Sequence, residues 1–442
     1  MDKFENLRNK YDTFTYERYE IIEKENNYEI IYYFNIKNLV TFKPILIIPK
    51  KRTDIDEDFL EYLVFHIGLI ELISYYKCTC SKNIIIKAGY LNEDQINWFK
   101  KLIYNGLSEF LYKNNINVTQ DELLNIKTNN QKYEPHIKYK GNGNLIPVGG
   151  GKDSNVTLEL LKGQDNTCFI INPKQTTLEC CKIAGYSTNK IIKVTRILDK
   201  QIIELNNQGF LNGHTPFSAL VAFISYLEAY LNNKKYIILS NEDSANESTV
   251  IGTNVNHQYS KTYEFENDFN NYTKKYFKID IKYFSLLRPL KEYQIGMLFS
   301  KMKQYHQTFK SCNLGSKNNN WNWCCECPKC LFVYIILSPF LYKEDLINIF
   351  GIDLYEKKEL LPIFKELLGY AKTKPFECVG TYEETRIAVS TLIQKLDNLP
   401  YLLKYYKENY PLELKDITKY YNKNNNLDKK FEKIIKDAIN NV

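Results

Sequence analysis

The stretch LIPVGGGKDSNVTLELLK, residues 145–162, decides the fold class. Its first four residues are an apolar strand pattern, Gly149-Gly150-Gly151 is a turn, and Asn155 to Lys162 carries helical spacing. Three glycines let a backbone approach an anion closely, and the helix behind them offers unpaired N–H groups and the positive end of its dipole. Phosphate is the expected guest, with Lys152, Asp153 and Ser154 packed around the turn. The competing reading is a strand-to-helix turn that needs glycine for geometry alone; the clustered polar residues weigh against it. Neither a Walker A loop nor a Gly-x-Gly-x-x-Gly fingerprint is present.

Outward from this turn, short apolar runs alternate with helical patterns. Strands are expected at Leu145–Val148, Thr167–Asn172, Ile191–Val194, Tyr236–Ser240 and Ile281–Phe284. Helices are expected at Asn155–Lys162, Thr177–Ala184, Pro216–Leu231 and Lys261–Tyr276. This alternation predicts an α/β fold with a parallel sheet covered on both faces and a ligand beyond the carboxyl ends of its strands. Residues 1–140 read as a smaller N-terminal α+β domain with no reactive constellation, closed by the polar stretch Lys127–Lys140. Residues 141–310 then form the nucleotide-binding domain, and 311–442 a Cys-cluster and helical C-terminal region whose Lys- and Asn-rich tail after Pro411 reads as solvated or partly disordered.

Composition sets the frame. At about 150 residues per domain, 442 residues make two or three domains, and 44% hydrophobic residues exclude disorder as the whole account. Lys and Arg number 59 against 52 Asp and Glu, a balance of +7 with no concentrated basic tail. An anionic small molecule such as a nucleotide is therefore a suitable partner, and no nucleic acid is expected. The opening MDKFENLRNK lacks the apolar core of a secretory signal, which makes a cytoplasmic location the expectation. The longest apolar run, Cys330–Tyr342, is too short for a bilayer and contains Pro339, so a buried helix is expected and no membrane span.

Of eleven cysteines, five lie between Cys312 and Cys330. Cys312, Cys324, Cys327 and Cys330 form a quartet suited to tetrahedral structural Zn²⁺, with Cys325 as an extra member directed elsewhere. Iron–sulfur ligation suits the same spacing, and packed thiols without metal are the remaining reading. The scattered cysteines, Cys378 among them, default to small buried apolar residues.

Four polar segments interrupt the apolar periods: LNGHTPFSAL (211–220), LSNEDSANEST (239–249), NVNHQYSKTYEFE (254–266) and FECVGTYEETR (376–386). The second follows a predicted strand, which would aim Asn241, Glu242, Asn246 and Glu247 into the ligand crevice. His214 and His257, two of five histidines, lie in polar loop contexts. Arg288 follows the last predicted strand, where it would clamp a carboxylate or phosphate, or else form a surface ion pair.

The glycine turn resembles the pyrophosphate loop of the ATP pyrophosphatases, usually Ser-Gly-Gly-x-Asp-Ser, with Gly149 in place of the first Ser. That resemblance implies a PP-loop (HUP, adenine nucleotide alpha hydrolase-like) domain in which Gly150, Gly151 and Ser154 hold pyrophosphate and Asp153 sits near Mg²⁺. The Cys quartet is similar to one in the deazaguanine-nitrile synthases, where it is structural. Taken in order over about 145–390, GGGKDS, GHTPFSAL, SNEDSANES, VNHQYSKTYEFE, SLLRPL, WCCECPKC and FECVG resemble the MurL family, the UDP-N-acetylmuramoyl-L-alanyl-L-glutamate epimerases of peptidoglycan synthesis.

The resemblance implies ATP- and Mg²⁺-dependent inversion of the terminal L-glutamate of a UDP-linked muramoyl dipeptide through carboxyl adenylation, with release of AMP and diphosphate. The expected roles are Gly149, Gly150, Gly151, Lys152, Asp153, Ser154, Asn241 and Glu242 on ATP and Arg288 on a substrate anion; the resemblance does not assign the proton carriers, and His257 with Cys378 are the candidates because a thiol/His pair serves such chemistry in cofactor-independent racemases. His214, Asn246, Glu247 and Lys261 would contact the dipeptide substrate. Another adenylating PP-loop enzyme, tRNA-modifying or deazaguanine-nitrile-synthase-like, is the alternative; a thiolating type would want a basic patch and a redox-active Cys pair near the loop, and neither is evident. A nucleotide-binding module without catalysis is the third reading.

Overall fold

All five strands expected after residue 144 form, each within two or three residues of the predicted ends. The computed structural model describes residues 3–51, 54–129, 132–312, 314–315 and 322–441. Its strands are β1 Thr13–Glu23, β2 Asn27–Ile36, β3 Val40–Phe42, β4 Ile45–Pro49, β5 Asn83–Ile86, β6 Asn125–Thr128, β7 Asn144–Pro147, β8 Asn166–Ile171, β9 Ile191–Ile197, β10 Tyr236–Leu239 and β11 Lys282–Ser285. Among the described residues they join in one 11-stranded sheet, ordered β11-β10-β7-β8-β9-β4-β2-β1-β5-β6, with β3 beside β2.

From β11 to β9 every pairing is parallel. Strand β7 runs between β8 and β10, so the chain order reverses on its two sides, and the crevice at such a reversal is where open α/β sheets bind ligands. The glycine turn leaves β7 at that point. Alternation along the strands separates two cores. Leu145, Phe169, Ile237 and Leu239 face a core shared with residues of the first 126 positions and with the helix Phe217–Leu231. Ile146, Cys168, Ile170 and Ile238 face a second core built from the helices after residue 290.

The parallel expectation for the strands after residue 144 holds, while the sheet as a whole is mixed because the N-terminal strands extend it. Strand β4 pairs antiparallel with β9 (Ile45↔Ile197), and β2 pairs antiparallel with both β4 and β1. The short connections β1–β2 and β2–β4 force those two pairings, because parallel neighbours need a long crossover. The strands on the two sides of position 140 therefore belong to one sheet. In the polar stretch before it, Tyr139 donates its hydroxyl to the carbonyls of Ala229 (2.9 Å) and Lys234 (2.8 Å), while residues 130 and 131 lie outside the described residues.

The run Cys330–Tyr342 enters the buried helix Pro328–Leu337. The stretch Glu57–Tyr76 is long and apolar enough to cross a membrane, and 83% of its apolar window is buried inside the protein. The tail after Pro411 is solvated on one side, as expected, and anchored on the other: Tyr420 and Asn422 hydrogen-bond the Asp243 carboxylate (2.9 and 2.6 Å), and helix Lys429–Asn440 buries Phe431, Ile435 and Ile439.

Candidate active site

A cavity of about 530 Å³ opens at the carboxyl ends of β7, β8 and β10. Gly149, Gly151, Asp153, Ser154 and Asn241 line it together with Lys261, Lys329 and Cys378. Gly150 has φ of +80°, which a side chain would strain, and a Cβ there would meet Thr177 Cγ2 at 2.9 Å. Its N–H donates to Ser154 Oγ (3.2 Å), which donates to the Gly151 carbonyl (2.9 Å), so the Ser154 hydroxyl closes the turn. Gly151 starts the helix Lys152–Leu160 without any side-chain cap, leaving that helix's first N–H groups for a ligand.

Lys152 does not reach the cavity. It is buried (1% exposed), and its Nζ pairs with Asp153 and Glu292. The placement corrects the expectation of a lysine on phosphate: the ammonium instead compensates a buried acidic group. Asp153, Glu242 and Glu292 each bring a carboxylate oxygen within 4.8 Å of the others. Burial, with the Asp153 charge beside it, pushes the Glu292 carboxyl up to about 8, against the pull of Lys152. Burial works against the charge on Lys152, but Asp153 and Glu292 outweigh it and keep the ammonium protonated. Three clustered carboxylates form the all-oxygen donor set that suits Mg²⁺.

On the wall of the same cavity, Lys261 Nζ lies 3.0 Å from Cys378 Sγ. Thr262, whose hydroxyl accepts the Phe265 N–H (3.1 Å), caps the helix Tyr263–Tyr276 and so places Lys261 just ahead of it. Thr381 caps Tyr382–Lys395 in the same way and sets Cys378 in the preceding loop. Lys329 Nζ donates to the Cys378 carbonyl. Burial alone would raise the Cys378 thiol, yet Lys261, the neighbouring His257 and the charge of Lys329 bring it down to about 5. The His257 imidazole, pushed down by burial, is carried up to about 9 by Cys378 and Glu109. His257 Nδ1 lies 2.5 Å from Glu109 Oε2, and its backbone N–H donates to Thr249 Oγ1 (3.0 Å). The His214 ring packs on His257 with centroids 4.4 Å apart.

Several expected substrate or ligand contacts do not line the cavity: His214, His257 and Glu242 stand behind its wall, and three more are engaged elsewhere. Arg288 is fully buried and donates to the carbonyls of Glu242 (2.7 Å) and Lys261 (2.6 Å) and to Glu266 Oε2 (3.2 Å). It ties together the two backbone segments that carry the site, and is spent before any substrate anion arrives. Asn246 is exposed and accepts the Tyr263 N–H (2.9 Å), and Glu247 pairs with Lys374 (2.7 Å); neither lines the cavity.

The Cys quartet closes on itself. Sulfur separations are 3.8 Å for Cys312–Cys327, 3.6 Å for Cys324–Cys330 and 3.5 Å for Cys327–Cys330. A tetrahedron with Zn–S bonds of about 2.3 Å has edges of about 3.8 Å, so the thiols fit that ion. Cys325, with φ of +58°, turns away and donates to the Phe350 carbonyl (3.1 Å). Residues 313 and 316–321 of the intervening loop lie outside the described residues. Cys312 also lines the cavity, so the quartet braces its wall.

Residues 5–286 match the MurL N-terminal domain and residues 308–408 the MurL C-terminal domain. The chain belongs to the MurL family. A UDP-N-acetyl-alpha-D-muramoyl-L-alanyl-L-glutamate epimerase of Xanthomonas oryzae pv. oryzae is 34% identical over 338 residues, 74% of each chain. Relatives of the same name from a Micromonospora strain (33% over 332 residues, 73% of each chain) and Salinispora tropica (34% over 330 residues, 72% of this chain and 70% of the relative) agree. No solved structure matches. MurL relatives are epimerases, and this chain is an isomerase of that kind.

Two acidic residues of this MurL site escaped the sequence reading. Glu109 lies in the short helix Ser108–Lys113, and Glu292 in the first turn of Glu292–Ser300. Glu292 did carry a signal: like Asp153, it opens a helix just after a parallel strand. Glu109 carried none, because an acidic residue on a helical pattern is ordinarily a solvated one.

Proposed function

We propose that the chain inverts the terminal L-glutamate of UDP-N-acetylmuramoyl-L-alanyl-L-glutamate in peptidoglycan precursor synthesis, in the cytoplasm, and that ATP and Mg²⁺ drive the reaction through carboxyl adenylation. The observation that carries this reading is that one cavity joins an uncapped helix N-terminus behind a glycine turn to a thiol, Cys378, with the Lys261 ammonium 3.0 Å from its sulfur. The β7–β11 half of the sheet, with the turn at its reversal point, supports a PP-loop assignment.

A carboxylate holds its neighbouring Cα–H tightly, because removing that proton puts a second negative charge beside the first. Adenylation lifts the obstacle. The carboxylate oxygen attacks the α-phosphorus, the bond to the β-phosphate oxygen breaks, and diphosphate leaves. The mixed anhydride accepts the electron pair released at Cα as an enolate, a proton returns to the opposite face, and water then cleaves the anhydride to AMP and the D-glutamyl product. Gly149, Gly151, Ser154 and Asn241 hold the phosphates in this scheme, while Asp153, Glu242 and Glu292 would hold Mg²⁺, which offsets phosphate charge when bound. Cys378 is the thiolate that faces Cα, and His257 acts behind it. Lys261, Lys310 and Lys329 line the same cavity and place ammonium groups where anionic phosphate or enolate oxygen develops.

Incubation with the nucleotide dipeptide, followed by hydrolysis and chiral analysis of glutamate, tests the reading. D-Glutamate that forms only with ATP and in step with AMP and diphosphate is the expected result. D-Glutamate formed equally without ATP would remove the adenylation step, and none under any condition would remove the substrate assignment.

A further inference from the structure

We propose that Glu109, in the helix Ser108–Lys113, is a positioning residue of the active site, orienting His257 as an imidazolium against the Cys378 thiolate. The inference rests on the epimerase reading of the cavity, but its central test does not require ATP or substrate.

Glu109 contacts His257, and His257 interacts electrostatically with Cys378, so the three groups have the roles of orienting acid, histidine and nucleophile or base that recur where a sulfur anion is held ready. Glu109 Oε2 meets His257 Nδ1, so that nitrogen carries the proton and the ring is held in place beside Cys378, whose charge it feels. The carboxylate is only 5% exposed, and such a group remains charged only where cations face it. Lys113 Nζ lies 2.6 Å from its Oε1, and His214 Nδ1 3.5 Å from its Oε2. Burial raises the Glu109 carboxyl, but His257 and Lys113 outweigh it and hold it near 2. His214 goes the other way: burial and the neighbouring His257 bring it down to about 4, so it stays neutral, with Lys77 and Lys113 also disfavouring its charge. Around Cys378 itself the charged groups are Lys261, Lys329 and His257. The negative charge of Glu109 thus offsets the imidazolium, and the imidazolium in turn favours the thiolate.

A merely structural Glu109 would alter stability; a positioning Glu109 alters the titration of a sulfur on another element. The rate of iodoacetamide alkylation at Cys378, followed by peptide mass spectrometry across pH 4–10 in the full chain, reads that titration directly. Glu109→Gln should raise the midpoint by about one pH unit or more, roughly a tenfold loss of thiolate on the acid side, and Glu109→Asp should recover part of the shift. An unchanged midpoint in a folded Glu109→Gln protein overturns the inference. Should that variant not fold, wild-type protein labelled with ¹⁵N-histidine decides: His257 must remain an imidazolium at pH 7.5, and a neutral ring there overturns it. A normal alkylation shift without ATP-dependent epimerisation would instead count against the adenylation scheme alone.

Discussion

Lys261 Nζ sits 3.0 Å from Cys378 Sγ, on the wall of the same cavity that the glycine turn enters. The ammonium is the first of the charges that lower the thiol, and it comes from the residue just before Thr262, the cap of helix Tyr263–Tyr276. Its replacement by an uncharged residue of similar length isolates that contribution. Lys261→Met should reduce solvent deuterium uptake at the glutamate Cα by about 10²-fold, the scale of a misprotonated general base. Wild-type exchange in this variant would remove the thiolate from the proton-transfer step.

The pH dependence follows from the pair. Cys378 loses its proton near 5 and His257 keeps its proton to near 9, so the thiolate–imidazolium form is the populated one between these limits. The two values belong to the pair rather than to either residue. The rate at subsaturating substrate should therefore rise as pH climbs through the lower value and fall as pH passes the upper one. A profile that only begins to rise above pH 8, as for an ordinary thiol, contradicts the pairing.

The glycines of the turn are not equivalent. A methyl at Gly150 meets Thr177 Cγ2 at 2.9 Å with φ of +80°, and one at Gly151 meets Ser311 Oγ at 2.8 Å, whereas nothing lies within 4 Å of a Cβ at Gly149. Gly150→Ala should cost about 1 kcal/mol or more in stability and weaken ATP binding in calorimetry. Gly149→Ser, which restores the usual first residue of the related loops, should fold as the parent does and bind ATP at least as tightly.

Metal content tests the quartet. Purified protein should carry one zinc per chain by mass spectrometry, and Cys327→Ser should lose it with a lower Tm. Because Cys312 lines the cavity, activity should fall as well. Metal-free protein with an unchanged melt in the variant would mark the four sulfurs as packed thiols.

Arg288 should behave as structure rather than as a substrate clamp. Arg288→Met leaves the Glu242 and Lys261 carbonyls and a share of Glu266 unpartnered in the interior, and breaking a buried ionic group of this kind costs about 3 kcal/mol or more. Thermal melts should show the loss. A variant of parental stability with only KM raised would return Arg288 to substrate binding.

Local order was legible without the structure because its causes are local. Apolar alternation, a glycine turn with a polar helix start and the Cys-x-x-Cys-x-x-Cys spacing each act over a few residues, and Gly149–Ser154 and the quartet were found where those patterns placed them. The mixed sheet was not legible, since pairing β4 with β9 joins positions about 150 residues apart through backbone hydrogen bonds that any sequence supplies. The same holds for the charges of the site. Glu109 meets His257 across 148 positions, and Glu292 meets Lys152 across 140. Whether a carboxylate is a solvated surface group or a buried counter-charge depends on what surrounds it, and only the closed fold brings those neighbours together.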